Sequence, residues 1–184
     1  MLPKLPKRIC KNHIILKLKV KLPKDSIYES FLMLKYLYSL ILLMTNQADK
    51  ILKKYKFKKI GKFYINSNDF VVKYDKQVSE IEQSIYIHVI DNKIMRVGSS
   101  KNKFKIRMKS WERDVSKALK GQKSSTPLWE AEIWRKKLSN KIGDLYFRKG
   151  WEIETPVGKI NSYMSEESFL IGKFKPEMNR SKHR

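Results

Sequence analysis

The chain has 184 residues, a single cysteine and a formal charge of +23, from 41 Lys and Arg against 18 Asp and Glu. That length allows one substantial core, or a compact module with a smaller appendage. The lone Cys10 excludes an intramolecular disulfide and any cysteine-based zinc site, which fits a reducing cytoplasm, and a basic excess carried by both halves of the chain favours a polyanionic partner bound in a salt-sensitive way.

Residues 1–24 contain three prolines, and Lys alternates with apolar residues over 13–20, the pattern of an extended arm ending in a strand. Lys17 and Lys19 interrupt the apolar stretch, so no secretory segment of the usual length is expected. Ser26 and Glu29 form a capping box that opens a helix running to about Met44. Its apolar positions are too widely spread for a simple surface helix and suit a core or a dimer contact. The run 31–44 is too short, and is interrupted by Lys35, for a membrane span. A basic helix over 47–56 follows, with Lys53 and Lys54 as expected phosphate contacts. A short β segment at 62–65, a polar loop at 66–69 and a strand at 70–72 lead to an expected boundary at 80. Residues 1–80 then form an arm and helical region for DNA contact or dimerisation, and 81–184 a second domain.

The pattern sharpens from Ser84. A β-branched strand over 84–90, a turn at Asp91-Asn92-Lys93 and a strand over 94–98 make a hairpin. A helix is expected over 102–120, with Phe104, Met108, Trp111, Val115 and Leu119 on one stripe. Thr126-Pro127 opens another helix to about Leu138, with proline at its first helical position. Strands at 145–148 and 151–155 and a helix over 165–174, stopped before Pro176, complete an α+β order of β-β-α-α-β-α: a small antiparallel sheet flanked by helices.

Certain residues on these elements carry chemistry. Ser84-Ile85-Tyr86 lies on the first strand, Arg96-Val97-Gly98 on the second with Ser99-Ser100-Lys101-Asn102 after it, and Arg107 on the helix. Glu167, Leu170-Ile171, Phe174-Lys175-Pro176 and Asn179 follow in the last element. This ordered set resembles the GIY-YIG nuclease superfamily over about half the chain. Two positions depart from it: Arg96 stands where the second tyrosine is usual, as in some restriction enzymes of the family, and Trp111 stands near where many members have a histidine.

The resemblance implies a metal-dependent hydrolysis of DNA phosphodiesters. Tyr86 would be the base or the group orienting the attacking water. A phenol titrates near ~10, and Arg96 beside it would lower that by ~1–3 units. Glu167 would hold one Mg²⁺, with Mn²⁺ able to substitute, and Arg107 would neutralise the scissile phosphate. His88 shares the face of Tyr86 and is a further candidate for proton transfer. Asn179 is expected to order the C-terminal turn beside the site and to lie near the DNA, with Lys101, Lys103 and Lys105 as DNA contacts.

Strand geometry gives an independent test. Tyr86 and Arg96 share a face only if even-numbered residues pair with even-numbered ones across the hairpin. A three-residue loop pairs His88 with Arg96 and Tyr86 with Gly98. A two-residue Asp91-Asn92 turn does so only with a bulge.

The resemblance stops five residues before the end of the sequence, which leaves no trailing DNA-binding domain of the homing-enzyme kind. The expected function is therefore a site-specific type II restriction endonuclease, acting on double-stranded DNA as a homodimer, with neither membrane nor small-molecule substrate. The alternatives are a phage or mobile-element nuclease of loose specificity and a non-catalytic basic nucleic-acid-binding protein.

Overall fold

A computed structural model describes residues 33–35 and 47–182 of the chain. Two compact units separate between Ser39 and Leu40. Only the helical residues 33–35 of the first are described, so the expected arm, capping box and apolar helix lie outside the described residues.

The second unit is built on a five-stranded antiparallel sheet. Its strands are β1 (Lys58–Asn66), β2 (Asp69–Tyr74), β3 (Ser84–Ile90), β4 (Lys93–Ser100) and β5 (Gly143–Lys149), in the spatial order β2-β1-β5-β3-β4. The hairpin of β1 and β2 thus shares one sheet with β3 and β4, and the boundary expected at residue 80 gives way to the division at residue 40. Hydrophobic pattern across 62–72 had shown two strands but not what they pair with. The polar loop expected between them closes to the two residues Ser67 and Asn68, with Asn66 paired to Asp69 and Ser67 at a left-handed φ of 55°.

β3 is buried along its whole length, and both of its faces carry apolar cores. On one face Tyr86 and Ile90 pack with α2 (Phe104–Leu119) and α3 (Leu128–Lys137). The predicted stripe Phe104, Met108, Trp111, Val115 and Leu119 is buried throughout, as the helical period requires of a face seated on a sheet. Beneath the other face, Ile85, Ile87 and Val89 meet Ala48 and Leu52 of α1 (Gln47–Lys54) and Leu170 and Ile171 of α4 (Tyr163–Phe174).

Pro127 stands one place before α3 in an extended conformation, ψ 149°, so it precedes the first helical position rather than filling it. A strand that sequence reading missed, β7 (Gly158–Asn161), pairs with β6 (Glu152–Thr155) as a separate two-stranded ribbon turned by Gly158 at φ 115°.

The outer strands are both hydrogen-bonded by side chains. At the β4 edge, Asn179 accepts from the Val97 N–H at 2.8 Å and donates to its carbonyl at 2.9 Å. At the β2 edge, Ser116 Oγ accepts from Phe70 N at 2.9 Å and Glu112 from Val72 N at 3.3 Å. Among the described residues no helix is long and apolar enough to cross a membrane.

Candidate active site

The β3–β4 register places the first two motifs. His88 pairs with Arg96 and Tyr86 with Gly98, as the even-with-even test demands. The turn that achieves this has two residues, not three. Asp91 and Asn92 both adopt positive φ, 47° and 61°, the conformation of a tight turn matched to strand twist. Ile90 then pairs with Lys93 and Val89 with Ile94, and a bulge after Ile94 restores the alignment before Arg96.

The Tyr86 ring lies across Gly98. A Cβ at Gly98 would come within 2.5 Å of Tyr86 Cζ and Oη, so only glycine admits the ring here. Tyr86 is buried, and its hydroxyl accepts a hydrogen bond from Arg107 Nε at 2.8 Å. Arg107 stands one turn into α2, between the buried anchors Phe104 and Met108, which fix the side of the helix it presents. Its interaction with Tyr86, and more weakly the carboxylates of Glu167 and Asp114, favour the charged form of the Arg107 guanidinium against the opposing effect of burial.

Glu167 arrives from the other side of the sheet on α4. Its Oε2 accepts from Ser99 Oγ at 2.5 Å, and Ser99 follows Gly98 on the outer strand. The groups therefore converge around the β4 edge, Arg107 from one layer and Glu167 from the other. Ser99, Ser100, Lys101, Asn102 and Arg107 line a cleft of about 280 Å³ at this point. The role of Ser99 was missed from sequence, although its position, one residue past the motif glycine on the opposite face, was the available signal.

Neighbouring Glu166 is committed elsewhere. It pairs with Arg148 and accepts from Ser162 Oγ and, at 3.0 Å, from Trp151 N. Glu167 alone of the two carries a carboxylate toward the cleft edge. A half-buried, hydrogen-bonded carboxylate is a suitable single protein ligand for a hard divalent cation, which otherwise takes water and phosphate oxygens. No group of three or more His, Cys, Asp and Glu suited to a metal occurs among the described residues.

Three expected roles change. Arg96, expected as the charge beside the phenol, forms an ion pair with Glu130 of α3, and the hydrogen bond that Tyr86 accepts comes from Arg107. Asn179 is buried with both ends of its amide bonded to Val97, so it fastens the C-terminal turn and is not a surface contact for DNA. His88 shares the face of Tyr86 but is sealed among rings, with centroids 4.0 Å from Trp111, 4.9 Å from Phe63 and 5.7 Å from Trp134. Neither of its nitrogens has a hydrogen-bond partner, which makes it a packing residue rather than a proton carrier.

Among the lysines, Lys101 is exposed at the cleft, whereas Lys103 and Lys105 are paired with Glu80 at 2.8 and 2.5 Å. Lys53 pairs with Asp49 at 2.7 Å, and Lys54 borders a separate cleft beside α4.

His88 gives a pH-dependent stability. Burial, then the charges of Arg96 and Arg107, hold its pKa well below the ordinary 6.5. The folded imidazole stays neutral while the unfolded one takes a proton below about 6.5, so the unfolded state binds more protons and stability falls as pH drops. We expect the urea midpoint to fall from about pH 7 to about pH 5, the His88 contribution approaching roughly 1.4 kcal/mol per pH unit. In His88→Phe that part of the decline disappears. An unchanged acid limb in the variant would show that the titration belongs to another group.

No known family profile matches the chain, and no curated protein sequence does. Among solved structures the fold is similar to that of a point mutant of bacteriophage T4 EndoII, with a TM-score of 0.54 and 15% identity, covering 71% of this chain and 96% of that one. A restriction endonuclease, HPY188I in complex with product DNA, aligns at a TM-score of 0.43 and 18% identity, covering 69% of this chain and 79% of that one. At such identities the first likeness is one of fold.

Proposed function

We propose that the protein is a metal-dependent DNA endonuclease of the GIY-YIG type, and that Tyr86, Arg107 and Glu167 form its catalytic group. The observation that carries this reading is the convergence of these three side chains at one sheet edge, from β3, α2 and α4, with the Tyr86 hydroxyl 2.8 Å from Arg107 Nε. The basic charge of the chain and its fold likeness to a phage endonuclease support the same reading.

Tyr86 Oη, held by Arg107, orients the attacking water or takes its proton. The remaining N–H groups of the same guanidinium neutralise the scissile phosphate as charge develops. Ser99 fixes the carboxylate of Glu167 at the cleft edge, where Mg²⁺ or Mn²⁺, when bound, supplies Lewis-acid stabilisation of the leaving oxygen. Lys101 extends the positive rim along the DNA backbone. One catalytic group per chain requires two chains to cut both strands of a symmetric site, which makes a homodimeric restriction enzyme the natural form of this reading. A second form, a phage-type nuclease of loose specificity, is favoured by the near-complete coverage of phage T4 EndoII.

Supercoiled plasmid incubated with the protein and Mg²⁺ tests the proposal. Discrete fragments that vanish with chelator are expected of a restriction enzyme, and a smear of the loose nuclease. Salt-sensitive retardation without any cleavage overturns the enzymatic reading in favour of a binding protein.

A further inference from the structure

We infer that the cleft between the end of α1 and α4 is a stacking site for an unpaired nucleobase of the DNA, separate from the catalytic group. The inference rests on the endonuclease reading for the identity of the ligand. The cleft encloses about 470 Å³, within the range of sites for small ligands, and presents the rings of Tyr55, Trp151 and Phe169. Trp151 is 53% exposed and Phe169 61%.

Exposed aromatics alone would be ordinary surface, but this arrangement is fixed in place. The Arg148 guanidinium lies between two rings, 5.0 Å from the Phe57 centroid and 5.2 Å from that of Trp151. Arg148 is itself 9% exposed and ion-paired with Glu166. The same Glu166 carboxylate accepts from the Trp151 main-chain N–H, so both the backbone and the ring of Trp151 are held. With Arg148 over the rings of both Phe57 and Trp151 and the indole about half exposed, the cleft offers a preorganised aromatic platform.

The charges around it suit a nucleotide. Lys54 and Lys56 line the cleft with no ion pair among the described residues, and Lys173 Nζ sits 5.2 Å from the Tyr55 ring and 5.6 Å from that of Phe169. The one lining carboxylate, Glu166, is neutralised by Arg148. Open aromatic faces beside unneutralised cations are what binding of single-stranded nucleic acid requires: a base on the ring and phosphates on the lysines. Glu166 and Glu167 adjoin in α4, so a strand engaged at Glu167 brings its flanking nucleotides near this platform.

The test is fluorescence anisotropy with a labelled oligothymidylate and, separately, a labelled blunt duplex, both in chelator so that cleavage does not intervene. Trp151→Ala and Phe169→Ala should each weaken the oligothymidylate about tenfold and change duplex binding by no more than about threefold, with the melting temperature retained. Trp151→Phe should keep most of the affinity. Unchanged oligothymidylate binding, or equal losses on both ligands, overturns the inference. So does sedimentation showing that Trp151→Ala converts a dimer to monomers, which would make the platform a subunit contact. Failure of the endonuclease reading is seen separately, as plasmid left uncut by the wild-type protein with Mg²⁺, and leaves the oligothymidylate result standing.

Discussion

Glu167→Ala is expected to lower plasmid cleavage by at least about 10³-fold and Tyr86→Phe by at least about 10²-fold, while both leave DNA affinity within a few-fold of wild type. For Glu167 the loss is that of the carboxylate that would hold the metal, worth several kcal/mol of transition-state stabilisation, and each 1.36 kcal/mol is a factor of ten in rate. For Tyr86 it is the loss of the oxygen proposed to orient the attacking water, a contribution of about 10² to 10⁴. Tyr86→Phe also strips the acceptor from Arg107 Nε, a net cost to folding of about 1 kcal/mol. Affinity should persist because it comes from many Lys and Arg contacts with phosphate, and its steep dependence on salt should be the same in both variants. Normal cleavage by either variant would remove that residue from the catalytic group.

Gly98→Ala should be unexpectedly severe for the addition of one methyl group. The new carbon would lie 2.5 Å from Tyr86 Cζ and Oη and 2.7 Å from Cε2, and the Tyr86 ring is only 1% exposed, so it has no free volume to enter. Overpacking of this kind costs about 1–3 kcal/mol, which lowers the melting midpoint by several degrees in a domain of this size. The greater effect is on rate: a displaced phenol loses its contact with Arg107, and turnover is expected to fall about 10²-fold or more. A double-mutant cycle separates the causes. In a Tyr86→Leu background Gly98→Ala should cost markedly less stability than in wild type, and an undiminished cost would place the strain elsewhere.

Much of this is legible in the amino-acid sequence. β3 and the α2 stripe follow from period and residue type, because a strand or helix face that must be buried leaves a repeating mark in the chain. Alternation also limits the pairing of Tyr86 with Gly98 to two devices, a three-residue loop or a two-residue turn with a bulge, but it does not choose between them. A bulge adds one residue without a fixed residue signature, so Asp91-Asn92-Lys93 looks in sequence like a three-residue loop although the turn is two residues and the extra one lies further along β4. The partner of Tyr86 was equally hidden. Spacing put Arg96 on the correct face, but the choice between Arg96 and Arg107 depends on where α3 brings Glu130, a tertiary fact that captures Arg96 in an ion pair. His88 illustrates the opposite error, since a shared strand face says nothing about depth. The three rings that enclose it come from β1, α2 and α3, far apart in sequence.

The side-chain bonds on the two outermost strands bear on how the molecule can associate. An open border of main-chain donors and acceptors invites a strand from another molecule. Asn179 closes that border at Val97, and Ser116 and Glu112 close it at Phe70 and Val72. A homodimer built from this chain would therefore not fuse two sheets into a continuous ten-stranded one at these points. At those three residues the main chain of each protomer is already spoken for by its own side chains.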